Sequence, residues 1–122
     1  MKIHLLRYAD EEIVDELRYI SLTLCPDINR APIETSYFKL YETRYRLKIE
    51  EVSQTFSAEI MRPNARENNF ELKKTTAMFV MDSAVVCTDQ KVVEIERSYY
   101  RGDKYKFAVV ANPEYDNGKP GS

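Results

Sequence analysis

The stretch from Lys91 to Val110, KVVEIERSYYRGDKYKFAVV, constrains this chain most. It alternates at the period of a β-strand on both sides of a turn. Val93, Ile95, Arg97 and Tyr99 fall on one face of the first strand. Val92, Glu94, Glu96, Ser98 and Tyr100 fall on the other, because successive side chains of a strand point to opposite faces. Arg101-Gly102-Asp103-Lys104 breaks the pattern. Gly102 can take a positive φ without a Cβ penalty, and Asp103 can bond back to nearby backbone. Tyr105, Phe107 and Val109 then alternate with Lys104, Lys106 and Ala108, which predicts a returning strand. Glu94 and Glu96 inside the first strand are the unusual feature. A carboxylate facing a core is costly unless a partner or a ligand compensates it.

The rest of the chain reads as strands with one helical interruption. Lys2 to Ala9 alternates and predicts a strand, Asp10-Glu11-Glu12 a polar turn, and Ile13 to Leu22 a second strand, so the pair forms a hairpin. Pro26, Asn29 and Pro32 make Thr23 to Glu34 a loop. Thr35 or Ser36 can cap a helix with Phe38, Tyr41 and Tyr45 at helical spacing. Leu47 to Ile60 predicts a third strand. Its apolar spacing shifts between Ile49 and Val52, which calls for a bulge near Glu50-Glu51. Arg62 to Lys74 is polar, with a short helix able to start at Pro63-Asn64. Thr75 to Thr88 predicts the fourth strand, and Asp89-Gln90 a tight turn into the fifth. After Asn112 the chain is polar and turn-rich, so 113–122 is expected to be a flexible tail. The elements describe an α+β domain, an antiparallel sheet with helices packed on one side.

Composition removes several function classes. The 122 residues carry a formal charge of −2 with no basic block, so the chain lacks the clustered Lys and Arg that phosphate neutralisation requires. No apolar run approaches a membrane span. Cys25 and Cys87 are the two cysteines and His4 the single histidine. Without Cys-x-x-Cys spacing, the expectation is free thiols in a cytoplasmic protein and no metal or cofactor.

The run Tyr100-Arg101-Gly102-Asp103-Lys104-Tyr105-Lys106-Phe107, with Glu94 and Ser98 upstream, resembles the closing signature E-x-x-x-S-x-Y-R-G-D-R-Y-x-F of the UTRA domain. That domain is the effector-binding half of GntR-type transcription regulators of the HutC subfamily. Two further segments carry the resemblance. Arg7-Tyr8-Ala9-Asp10, followed by Ile13, Glu16 and Tyr19, is similar to R-x-R-x-A-D-G and E-P-I-A-x-E-x-S-Y. Leu5 stands in place of the first arginine, and the turn glycine is absent. Ser36 to Ile49 is similar to S-L-Y-D-L-L-x-x-x-Y-G-I-x-L, with Phe38 where a tyrosine is usual.

The resemblance implies a chorismate-lyase-like fold, and an effector-binding domain over 1–112 that lacks the family's opening strand and helix. By the same resemblance the pocket residues are Arg7, Glu16, Ser36, Phe38, Glu94 and Tyr100. Arg7 would take a polar or anionic acceptor, Glu16 and Glu94 hydroxyl or amine groups, and Tyr100 either. The implied role is allosteric and not catalytic. A metabolite effector would shift a homodimer and so respace winged helix-turn-helix domains on DNA, and this chain carries no such domain. With one arginine fewer, a phosphorylated effector is disfavoured. The plainer reading of Arg7 and Glu16 is a cross-strand ion pair on a solvated face; of Ser36, an N-cap; of Phe38, core. Two rival functions remain open: a chorismate-lyase-like enzyme, and a dimerisation module without a ligand.

Overall fold

Alternating β-branched and aromatic residues drive five segments into strands. The structure, a computed structural model, describes residues 1–9, 11–32 and 36–113, with backbone alone for 7–9 and 11–13. The strands are β1 (Lys2–Ala9), β2 (Glu11–Ile20), β3 (Ile49–Met61), β4 (Thr76–Cys87) and β5 (Val92–Arg101). They form one antiparallel sheet in the order β1-β2-β5-β4-β3. The stretch around Glu94 is therefore the central strand. One helix, α1 (Tyr37–Thr43), and a 3-10 turn at Ile28–Arg30 lie on one face.

That helix face holds the larger apolar cluster. Tyr41 and Ile28 are fully buried there with Cys25, Val85 and Val93. Tyr37 and Tyr41, four residues apart, make the buried stripe of α1. Phe38, read from the sequence as part of that stripe, is 40% exposed. The opposite face is closed at one end by the segment after β3. Phe70 and Leu72 pack there on Met61 and Met78. Asn68 ties that segment together by donating to the Pro63 carbonyl and accepting from the Leu72 amide. Pro63-Asn64 starts no helix, because side-chain to backbone bonds of this kind compete with helical ones.

Bulges decide two local details. The expected irregularity in the third strand is present as a register shift between Ile49 and Glu51. A second shift, at Val85/Val86 opposite Glu94 and Val92, was not foreseen. It turns both Val93 and Glu94 inward and leaves Val92 48% exposed, so strict alternation misplaces Val92 and Val93. Glu11 and Glu12 belong to β2 and not to a turn, while Asp10 lies outside the described residues.

The returning strand predicted after the turn is absent. Residues 105–113 have no strand partner, and the chain lies across the helix face through its rings. Phe107 packs edge-on against Phe56 (4.9 Å), Phe79 (5.2 Å) and Tyr100 (5.2 Å). β2 and β4 already occupy both edges of β5, so a hairpin has none to use. The glycine of the turn is required for a different reason than the one expected. The Gly102 amide donates to the Ala77 carbonyl at 2.8 Å. A Cβ at this position would sit 2.6 Å from that same oxygen. Close approach of backbones, and not a left-handed φ, excludes a side chain. Arg101 braces the turn with two hydrogen bonds to Asp103, at 3.0 and 2.7 Å.

Candidate functional site

The register of β2 against β5 sets Glu16 opposite Ser98, Arg18 opposite Glu96 and Ile20 opposite Glu94. Residues two apart on a strand share a face, so these polar groups gather on the helix side of the sheet. α1 then lays Tyr41 over them. The result is a compact polar cluster inside an apolar frame.

Its geometry is closely knit. Arg18 Nη2 donates to Glu96 Oε1 at 2.8 Å, and it lies 3.6 Å from Glu16 Oε1. Arg18 Nε is 3.8 Å from Glu94 Oε2, too far for a hydrogen bond. That Nε is buried and has no acceptor among the described residues. Tyr41 Oη donates to Glu94 Oε1 at 2.6 Å, and Ser98 Oγ to Glu96 Oε2 at 2.8 Å. Ser98, Glu94 and Glu16 are buried, at 0%, 4% and 7% exposure.

Three carboxylates thus converge on one guanidinium. Burial pushes the Glu94 carboxyl above the ordinary glutamate range, and the Tyr41 hydrogen bond and Arg18 only partly offset that. Burial also works against the charge of Arg18, but Glu94, Glu96 and Glu16 together outweigh it and raise its pKa. The Tyr41 hydroxyl is pushed far up, first by burial and then by its bond to Glu94. Tyr100 is raised by burial and by the nearby charge of Glu96. The site can therefore accept hydrogen bonds at several carboxylate oxygens and donate one from Arg18 Nε.

Of the six residues singled out from the sequence, Glu16 and Glu94 lie in this cluster. Glu16 is buried, so it does not belong to a solvated cross-strand pair. Tyr100 borders the cluster, its ring against Tyr105 at 4.8 Å. Phe38 reaches it only through a tilted contact with Tyr41, at 5.7 Å between ring centres. Ser36 stands at the start of α1, exposed, and its hydroxyl makes no capping bond. Register pairs Arg7 with Val14, and the Arg7 side chain lies outside the described residues.

Arg18, Tyr41, Glu96 and Ser98 were not selected from the sequence as pocket residues. Glu96 and Ser98 were visible as same-face neighbours of Glu94. Arg18 had its own signal: the family pattern E-x-S-Y puts a serine where this chain has an arginine.

The open cavities lie elsewhere. One of about 400 Å³ is lined by Leu17, Tyr19, Ile95 and Arg97, and Glu96 is the one cluster residue that also lines it. Others of about 310 and 270 Å³ also flank Arg97 and Tyr99, on the face opposite α1. The polar cluster is closed over, and the cavities are not. Among the described residues no group of His, Cys, Asp or Glu is arranged to hold a metal ion. No helix is long and apolar enough to cross a membrane.

Sequence comparison decides the family. The UTRA domain matches residues 1–106. The chain belongs to the UTRA domain family. No curated protein is a significant sequence match. Solved structures share the fold at low identity. A GntR-family transcriptional regulator from Enterococcus faecalis V583 is 23% identical with a TM-score of 0.76, over 90% of this chain and 79% of that one. The effector domain of PhnF from Mycobacterium smegmatis is 18% identical with a TM-score of 0.73, over 91% and 68%. The effector-binding domain of the trehalose repressor TreR of Bacillus subtilis is 20% identical with a TM-score of 0.68, over 93% and 78%. This UTRA domain accordingly shares its fold with those regulators and effector domains, and it has the expected α+β, chorismate-lyase-like architecture.

Proposed function

We propose that the cluster of Glu16, Arg18, Tyr41, Glu94, Glu96 and Ser98, bordered by Tyr100, is where this UTRA domain takes its effector. The observation that carries the reading is the buried Arg18 Nε, left without an acceptor beside three carboxylates. A ligand hydroxyl between Arg18 Nε and Glu94 Oε2 can accept from the first and donate to the second. Three carboxylates repel a phosphate, so the effector is a neutral or cationic metabolite rich in hydroxyl or amine groups. Arg7, Ser36 and Phe38 are proposed to contact its outer parts. Because the cluster is covered by α1, binding displaces the helix and its flanks. In a cytoplasmic homodimer that displacement respaces two DNA-binding domains carried elsewhere in the regulator, with no catalytic step. Residues 1–112 form the effector-binding unit.

One observation favours a domain without a ligand: Glu94 and Glu96 already find partners in Tyr41, Arg18 and Ser98. A thermal-shift screen of uncharged polyols, amino sugars and amines against their phosphorylated counterparts separates the two. An effector at about 100 times its Kd stabilises by roughly 2.7 kcal/mol. The expected hit stabilises the wild-type chain and fails on Glu94→Ala and Arg7→Ala. An effector equally active on both variants removes these residues from the site, and a screen without hits favours the ligand-free module.

A further inference from the structure

The sequence holds no basic block, but the fold assembles one at a corner of the sheet away from α1. Strand pairing sets Met61 opposite Thr76 and Met78 opposite Arg101, so the start of β4 and the end of β5 lie side by side. The segment after β3 packs over them. Phe70 and Leu72, 3% and 7% exposed, anchor it on Met61 and Met78. Glu71 between them takes a φ of 58°, a left-handed conformation that costs a non-glycine residue. The Thr76 hydroxyl donates to the Lys74 carbonyl at 3.0 Å and ties the end of the segment to β4. A cavity of about 410 Å³ remains between these parts, with Lys73, Lys74 and Arg101 on its wall.

Charge is unbalanced at this corner. Arg101 is tied to Asp103, and Lys104 closes the same turn. The ammonium groups of Lys73 and Lys74 have no ion-pair partner among the described residues. Four cations therefore stand against two carboxylates, Glu71 and Asp103, in a chain whose formal charge is −2. Like charges held together repel one another until an anion neutralises them. We propose that this corner binds the phosphoryl group of a small organic phosphate. Lys73 and Lys74 meet its oxygens as point charges, the role in which lysine serves phosphate. Arg101, held in place by Asp103, adds positive charge from the side. The Thr76 hydroxyl has spent its proton on Lys74 and donates nothing. The cavity exceeds what a phosphate alone fills and lies in the range of small-molecule sites, about 300–1,000 Å³. Phe70 and Leu72 give it an apolar wall for the organic remainder, and Glu71 can accept from a hydroxyl there.

This site lies away from the polar cluster under α1 and does not rest on the reading of that cluster. The test titrates glycerol phosphate into the isotope-labelled chain at fixed ionic strength and follows amide chemical shifts. The amides of Lys73, Lys74, Thr76 and Arg101 are expected to shift along a saturating curve, while glycerol and acetate leave them in place. Replacing both lysines, Lys73→Gln with Lys74→Gln, raises the dissociation constant roughly tenfold or more, the loss of at least one charged hydrogen bond. Lys91→Gln, at the other end of β5, leaves it unchanged. Shifts that never saturate, that Lys91→Gln weakens as much as the double substitution does, or that fall only on the cluster around Arg18 overturn the site. Duplex DNA that moves these amides where glycerol phosphate does not also overturns it, and makes the corner a contact for nucleic-acid backbone.

Discussion

Replacing Arg18 with methionine tests whether one guanidinium organises the polar cluster. The substitution keeps an unbranched apolar stem and removes the only cation that faces Glu16, Glu94 and Glu96 among the described side chains. At an effective dielectric constant of about 20, each of the three contacts carries roughly 4–6 kcal/mol of gross attraction. Most of that is offset by taking the charges out of water, and breaking a buried ion pair costs a net of about 3–5 kcal/mol. The Arg18 side chain is 20% exposed, which puts the expectation at the low end, about 3 kcal/mol. For a domain of this size that corresponds to a fall in Tm of roughly 10–15 °C.

The assay is urea denaturation of wild type, Arg18→Met and Arg18→Lys at pH 7 and pH 4.5. Arg18→Lys should recover only part of the loss, since an ammonium cannot reproduce the planar fork of a guanidinium. The penalty of Arg18→Met must shrink at pH 4.5. Without the cation nothing but Tyr41 opposes the burial that already raises the Glu94 carboxyl, so the stability it brings is lost as pH rises. A cost below about 1 kcal/mol at pH 7, the value of a solvated surface pair, would refute the claim that the cluster is buried around Arg18.

Three further outcomes follow from the same geometry. Gly102→Ala should destabilise by about 1–3 kcal/mol in chemical denaturation, the range for forced overpacking, because the new Cβ meets the Ala77 carbonyl at 2.6 Å; a neutral result would mean that β4 yields freely there. The Glu94 carboxyl titrates above its unfolded value, so its stabilising contribution is complete below the ordinary glutamate pKa and is lost as pH rises through the folded one. Glu94→Gln should therefore gain on wild type as pH is raised from 4 to 8, and the opposite slope would show that pairing with Arg18 outweighs burial. Phe107→Ala should raise hydrogen exchange and proteolysis at 105–110 while lowering global stability by no more than about 1–2 kcal/mol, since its ring is 42% exposed; unchanged exchange would mean that backbone, and not the ring, holds this segment.

What was legible in the sequence was whatever depends on period and local chemistry. Apolar patterning marked all five strands, and the broken spacing after Ile49 marked the bulge in β3. Alternation placed Glu94, Glu96 and Ser98 on one face. The Y-R-G-D run and its upstream Glu94 carried the family. Only the tertiary structure decided the remainder. Residues 105–110 have the alternation of a strand, yet a strand needs a free edge, and β2 and β4 hold both edges of β5. The bulge opposite Val85 turned Val93 and Glu94 to the same side, which no periodicity encodes. Arg18 became the centre of the site because strand register set it beside Glu96 and between two further carboxylates, contacts 78 residues apart in the chain for the closest pair. Local pattern says which residues share a face, but the partners on that face, and with them burial and charge, come from which strands lie side by side.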